Sequence, residues 1–267
     1  EIDTAAVKAL GLGVGPFTAL NLTGGNPITA HGLDEMGKLL MPWFNTPIAL
    51  REKSQKKEAW NTAQRGEKVE LSHEKEEQLV KEFQGAFFAL ASYIIDIGIV
   101  DVDDLNMACE LSLVVKAPFS YMNKIGIIQT YDIVKNFCAH HSSFPFPEIL
   151  EKVKADGGWK LHDIIKDKRD EVLIITIRRP KVLNALNLSV LNEIKIALEE
   201  VKNDNSIKAI VITGFGIKAF VSGADLNMLS ALKTSDEGYN NSRTFQSVLD
   251  YVENYSKPIV CAMNGFA

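Results

Sequence analysis

Cysteine is scarce in this chain. Three occur in 267 residues, Cys109, Cys138 and Cys261, with no C-x-x-C pair among them. An odd, widely spaced set argues against a disulfide framework and against a cysteine-based zinc site. It fits a reducing cytoplasm in which all three are small buried hydrophobes. Histidine is nearly as rare, at five. The adjacent pair His140-His141 projects in different directions from a helix or a strand, which argues against a shared metal. No apolar run approaches the roughly 20 residues of a membrane span, and no secretory signal pattern is visible. Lys and Arg total 29 against 34 Asp and Glu, a net charge of −5. With no long basic block, nucleic acid is not an expected partner. The densest cationic stretch, KSQKK at 53–57, reads as a solvated loop. There is no initiator methionine; the chain opens on EIDTAA, already helical in character, and stops at Asn264-Gly265-Phe266-Ala267. Both ends read as cuts in a longer polypeptide.

What is present is a globular composition, 46% apolar and 24% charged, enough to bury a core without covalent staples. The length suits one large domain or two ordinary ones, and the texture changes near residue 160. Residues 1–160 carry helical periodicity and little strand signal. The stretch 83–99 (FQGAFFALASYIIDIGI) is apolar and of helical length. Asp101-Val-Asp-Asp104 is placed to cap a helix over about 105–113, Phe144-Pro-Phe-Pro147 marks a turn before a helix at 148–154, and Asp156-Gly157-Gly158 ends that helix. Residues 50–73 read as an exposed helix and loop. From about residue 165, strands and helices alternate. Val172–Ile177 (VLIITI), 209–213 (AIVIT) and 259–263 are strands; 188–202 and 239–255 are helices. This alternation predicts a mainly parallel sheet.

Two features of the helical half need separate readings. Gly11-Leu-Gly-Val-Gly15 is not a dinucleotide-binding fingerprint: a helical segment precedes it, and Pro16 stands where the third glycine belongs. It reads as a helix end and a turn. A weak repeat is also visible at an offset of 102. Pro16-Phe17, Asn21 and Gly24 recur as Pro118-Phe119, Asn123 and Gly126, four identities in nine positions. A duplicated helical unit explains them.

In the second half, Ser222-Gly223-Ala224-Asp225 follows a strand and a loop. Small residues there let backbone approach a ligand, and free N–H groups can hold a developing oxyanion. The alternative is a plain tight turn. Arg178-Arg179-Pro180-Lys181 precedes an extended stretch, VLNALN, whose backbone and charge suit phosphates and an adenine edge. The alternative is a solvated basic turn.

Taken in order, these segments resemble the N-terminal part of a crotonase domain, the enoyl-CoA hydratase/isomerase family. RRPKVLNALN is similar to its first CoA-binding loop, KAFVSGADLNML to its oxyanion-hole segment, and SKPIVCAMNGFA to the strand entering its Gly-rich turn. The resemblance implies that Ala224 supplies one oxyanion N–H to a thioester carbonyl. It implies that Ala185 and Ser222 offer backbone groups to the adenine and pantetheine region and that Lys181 lies near the CoA phosphates. Asp225, in the same segment, would mainly shape the loop. The second oxyanion donor and the acid/base carboxylates would follow Ala267.

EIDTAAVKALGLGVGPFTAL resembles the helix-to-Gly-Pro-Phe signature of the C-terminal domain of 3-hydroxyacyl-CoA dehydrogenases, and VDDLNMACELSLVVKAPFSYMNKIG a divergent second copy. The expected fold is therefore multidomain, α plus α/β. An all-helical dehydrogenase-type domain, readable as a duplicated unit, covers 1–160, and a truncated crotonase-like α/β domain covers 165–267. The pair resembles bifunctional enzymes that hydrate enoyl-CoA and oxidise 3-hydroxyacyl-CoA. That implies a CoA thioester as substrate, NAD bound only upstream, no metal, no membrane, a cytoplasmic location and a homo-oligomer. Two other readings stand beside it: a non-catalytic assembly or dimerisation module, and a crotonase-fold isomerase or thioesterase.

Overall fold

The computed structural model describes residues 1–267 except Arg65, Gly66, Lys68 and Val114. Three of these positions interrupt the stretch 50–73 and one lies in the second dehydrogenase-like segment, so those parts of the sequence expectations fall outside the described residues. The chain forms two compact units, Glu1–Leu161 and His162–Ala267.

Among its described residues the first unit is built of helices and loops without a strand: α1 (Ile2–Leu10), α2 (Pro16–Thr23), α3 (Asn26–Leu39), α4 (Ile48–Lys56), α5 (His73–Asp96), α6 (Val102–Leu111), α7 (Pro118–Ile125), α8 (Ile127–His140) and α9 (Ile149–Ala155). Gly11 ends α1 in the left-handed conformation at φ 76°, as a helix cap and not as a phosphate loop. The KSQKK stretch is helical, not a loop: Lys53 and Lys56 lie in the last turn of α4, where cations meet the unpaired carbonyls. Helix α5 begins ten residues before the apolar run that announces it. Ser72 caps it by accepting from Lys75 N–H, and its charged early turns are solvated. Its buried residues Gln84, Gly85, Phe88, Ala89, Ala91 and Ser92 recur at helical spacing on one stripe. Asp101 does cap the next helix, accepting from Asp104 N–H at 2.9 Å, but that helix starts at Val102, because the cap sets its first turn.

The repeat is physical. Asn21 donates from Nδ2 to Trp60 O and accepts from Trp60 N–H, both at 2.8 Å. Asn123 makes the same pair of bonds with Trp159, at 2.8 and 2.9 Å. Phe17 stacks on Trp60 with centroids 4.1 Å apart, and Phe119 lies against Trp159 at 4.4 Å. Asp3 caps α2 by accepting from Phe17 and Thr18 N–H; Asn106 caps α7 by accepting from Phe119 and Ser120 N–H. The copies differ in burial. Phe119 and Trp159 belong to a cluster with Phe88, Met122, Val134 and Leu150, whereas Phe17 and Trp60 are half-buried.

The second unit is a four-stranded sheet in the order β1 (Ile164–Arg169), β2 (Val172–Ile177), β3 (Ala209–Gly214), β4 (Ile259–Ala262). The first pair is antiparallel and the next two are parallel. The sequence expectation counted three strands and missed β1, whose IIKDKR is mostly polar and lacks a β-branched run. Helices α10 (Leu188–Val201), α11 (Leu226–Ala231) and α12 (Ser235–Glu253) complete it. Alternation in β2 and β3 puts Leu173, Ile175, Ile177, Ile210 and Ile212 on one face, packed with Val190, Ile194, Ala197 and Leu198 of α10. Helix α12 starts at Ser235, four residues before the expected Tyr239, because Thr234 and Glu237 form a capping box. Cys109 is buried and Cys138 half-buried, but Cys261 is exposed. The expectation of three buried thiols fails there because β4 ends the sheet and most of its residues are open to solvent.

The three tryptophans, Trp43, Trp60 and Trp159, all lie in the first unit, so tryptophan fluorescence follows its unfolding. Phe119→Ala is expected to lower its stability by about 3–5 kcal/mol in urea titrations, the range for emptying a buried phenylalanine site. Phe17→Ala in the more exposed copy is expected to cost about 1–2 kcal/mol. Equal effects would contradict the asymmetry of the repeat.

Candidate functional site

In a parallel sheet the carboxyl ends of the strands share one edge, and the loops that follow meet there. In this unit those loops are 178–187 after β2, 215–225 after β3 and 263–267 after β4. Their mutual fixing begins with Asn184, which is 1% exposed. Its Oδ1 accepts from Arg179 N–H at 3.0 Å, and its Nδ2 donates to Ala219 O at 2.9 Å and Phe215 O at 3.1 Å. One amide thus satisfies backbone groups in two loops. Asn184 sits at φ 57°, a left-handed conformation that asparagine tolerates better than most residues. Asn264 does the same for the third loop. It accepts from Gly214 N–H and donates to Gly214 O and Gly216 O. Gly265 is tied closely to the second loop, where a Cβ would lie 2.4 Å from Lys218 O.

The segments 185–187 and 223–225 form a short parallel bridge. Leu186 N–H donates to Gly223 O and Asp225 N–H donates to Leu186 O, each at 2.8 Å. Peptide planarity then aims the Ala224 N–H away from Leu186, since it is trans to the Gly223 carbonyl in one plane. Ala224 is exposed, and its N–H has no hydrogen-bond partner among the described residues. Gly223 reaches φ +105°, which a side chain would strain. The result is a backbone donor aimed away from Leu186 on a loop held from behind, a group chemically able to stabilise a developing negative charge.

Arg179 is turned inward: its Nη2 donates to Asp225 Oδ2 at 2.7 Å, and its Nη1 donates to Ala185 O at 2.6 Å. Its side chain is 17% exposed and that of Asp225 is 7%. Within the basic loop, Arg179 is thus engaged by a nearly buried carboxylate. Asp225 also caps α11, accepting from Asn227 N–H. The Arg179 hydrogen bond holds the Asp225 carboxyl below its usual range. A depressed carboxylate contributes stability at pH values above its unfolded pKa, and that contribution is lost as acid titrates it through the folded value. The pair is thus intact at neutral pH.

Ser222 is exposed; its N–H donates to Leu183 O and its hydroxyl to Val182 O. Ala185 is buried, its N–H donating to Val182 O and its carbonyl accepting from Arg179. The Ala185 N–H is thus used internally, and only its carbonyl keeps acceptor capacity. Lys181 lies on the 3₁₀ turn Pro180–Val182 of the same loop. The bridge therefore brings Ala185, Ser222, Ala224 and Asp225 together, and sequence reasoning did not foresee Asn184 or the inward Arg179. The one local signal was an asparagine following the basic turn; the acid that holds Arg179 lies 46 residues away in sequence. Glu193, a half-buried carboxylate raised by burial, anchors β1 to α10 by accepting from Asp163 and Ile164 N–H. Among the described residues no group of three or more His, Cys, Asp or Glu is placed to hold a metal, and no helix is long and apolar enough to cross a membrane.

Asn184→Ala is expected to destabilise the second unit by about 1–3 kcal/mol for the buried groups left unpaired, with about 1 kcal/mol more for a left-handed alanine. Asn184→Gly removes the second cost and not the first. Hydrogen exchange in β2 and β3 measures both. Equal protection in Asn184→Ala and the unaltered chain would remove Asn184 from this role.

Residues 167–267 match the profile of the family described as Enoyl-CoA hydratase/isomerase. The short-chain-enoyl-CoA hydratase of Clostridium acetobutylicum is 38% identical over 108 residues, 40% of this chain and 41% of that protein. The crotonyl-CoA hydratase of Syntrophomonas wolfei is also 38% identical over 108 residues, 39% of this chain and 40% of that protein. The crystal structure of an enoyl-CoA hydratase from Bacillus anthracis aligns at 26% identity with a TM-score of 0.38, over 39% of this chain and 40% of that one. The chain thus spans about two fifths of the length of the curated relatives it matches. Residues 167–267 are thus similar to a segment of enoyl-CoA hydratases of the Enoyl-CoA hydratase/isomerase family.

Proposed function

We propose that this chain is part of an acyl-CoA enzyme, and that its second unit binds an enoyl-CoA thioester and polarises the thioester carbonyl through the Ala224 N–H. The observation that carries this reading is the N–H of the exposed Ala224, without a hydrogen-bond partner among the described residues, on a bridged loop within a segment matching the Enoyl-CoA hydratase/isomerase family. Ser222 and the Ala185 carbonyl border the path of the thioester arm, and Lys181 lies toward the CoA phosphates.

Addition of water to an enoyl thioester puts negative charge on the carbonyl oxygen as the nucleophile attacks the β-carbon. A fixed N–H stabilises that charge more than it stabilises the ground state, which lowers the barrier. The reaction also requires a carboxylate to activate water and an acid to protonate the α-carbon. Asp225 is not that group: it is depressed, paired with Arg179 and spent on a helix cap. The residues of this unit supply binding and polarisation, and the acid/base work falls to groups outside it.

The helical unit belongs, in this proposal, to the 3-hydroxyacyl-CoA dehydrogenase half of a bifunctional protein that uses NAD elsewhere and assembles as a homo-oligomer. The duplicated Phe–Trp–Asn arrangement supports a repeated unit there.

Isothermal titration tests the site directly. Butyryl-CoA is expected to bind this chain about tenfold more tightly than its thioether analogue, S-butyl-CoA, which keeps every group except the carbonyl. Equal affinities, or no binding of either, would refute the thioester site. For the bifunctional reading, the chain expressed with its flanking coding sequence is expected to hydrate crotonyl-CoA and to reduce NAD with 3-hydroxybutyryl-CoA. A folded protein that hydrates without reducing NAD would remove the dehydrogenase half.

A further inference from the structure

We infer that Arg179 is a positioning residue for the Ala224 N–H; this rests on the thioester reading above for its chemical meaning, though not for its geometry. The direction of that N–H is set by one peptide plane. Gly223 C=O and Ala224 N–H lie in it, trans to each other, so holding the carbonyl against Leu186 N–H aims the donor outward. Gly223, at φ +105° with no side chain, supplies no stiffness of its own. A bridge of two hydrogen bonds at such a point needs support from outside.

Arg179 supplies it on both sides of the bridge. Its Nη1 holds the carbonyl of Ala185, the residue before Leu186, and its Nη2 holds the carboxylate of Asp225, the residue after Ala224. A third nitrogen, Nε, lies 3.6 Å from Asp163 Oδ1. The guanidinium is a planar fork of fixed geometry, so its two ends set the spacing of the two segments it grips. A lysine ammonium in the same place is a point charge on a flexible stem and does not fix two partners at a set spacing. The backbone of Arg179 is itself held by Asn184, whose Oδ1 accepts the Arg179 N–H and whose own N–H donates to Arg179 O at 2.9 Å. The line runs from Asn184 to the Arg179 backbone, through the fork to Ala185 and Asp225, and so to the Ala224 peptide. No member of that line before Ala224 needs to touch the reacting atoms.

The test uses the full chain with alanine-selective ¹⁵N labelling. In the unaltered protein the Ala224 amide is expected to be as ordered as the strand amides. In Arg179→Lys it is expected to show conformational exchange broadening, with Ala209 of β3 unchanged as the internal control. Asp225→Asn keeps a hydrogen-bond acceptor for Arg179 and is expected to fall between the two. In parallel, the preference for butyryl-CoA over S-butyl-CoA is expected to drop about tenfold in Arg179→Lys, while affinity for CoA itself stays within about twofold. Loss of bulk stability alone would lower all three affinities together. An ordered Ala224 amide in Arg179→Lys, or an unaltered thioester preference in a protein that shows one, would overturn the inference. If the unaltered protein shows no thioester preference, the thioester reading fails, and the Ala224 amide alone decides the positioning role. Should Arg179→Lys fail to fold, Asp225→Asn carries both measurements.

Discussion

The second unit depends on how buried backbone groups are satisfied where three loops converge. Strands end at that edge, so their ladders stop and their loops carry carbonyls and amides with no regular partner. A single side chain, the amide of Asn184, takes up groups from the Arg179 turn and from the 215–219 loop. Asn264 repeats the solution between the end of β4 and Gly214. Without these two amides the loops would be hydrated separately and would not share one geometry. The Leu186–Ala224 bridge and the outward Ala224 N–H follow from that shared geometry, because they join residues 38 positions apart.

The same physics organises the first unit on another scaffold. Each copy of its repeat uses an asparagine to grip the backbone of a distant tryptophan, and a phenylalanine to pack on the ring. The pattern is sparse in sequence, four identities in nine: Phe and Asn make these contacts, while Pro and Gly bound the helix that carries them. Between them, burial is free to differ. The second copy sits in a large aromatic cluster, and the first keeps its tryptophan half-buried.

Much of the fold was legible. VLIITI and AIVIT read as strands because β-branched residues crowd together there, and 188–202 reads as a helix because its apolar positions recur on one stripe. Strand β1 was not legible: as a sheet edge with one partner it tolerates Lys, Asp and Arg at most positions, so its pattern is that of a loop. Helix starts were misplaced at α5, α6 and α12 by three to ten residues, since capping side chains, not apolar runs, set them. At the site, Ser222-Gly223-Ala224-Asp225 was visible as a junction of small residues. The inward turn of Arg179 was not legible, because nothing within its own turn shows that Asp225 will lie beside it.

By itself, the sequence determined the two textures, the core-facing stripes of the main helices and strands, the internal repeat and the motifs that the crotonase family shares. These depend on composition and on spacing within a few turns or strands, where periodicity alone decides which face is buried. Only the tertiary structure decided which backbone donor is left open, which arginine is spent inside and which asparagines hold the loops. Those outcomes are set by pairs between about 30 and 50 residues apart. A polar group's role depends on whether its partner arrives before water does, and that is settled only when the chain has closed around it.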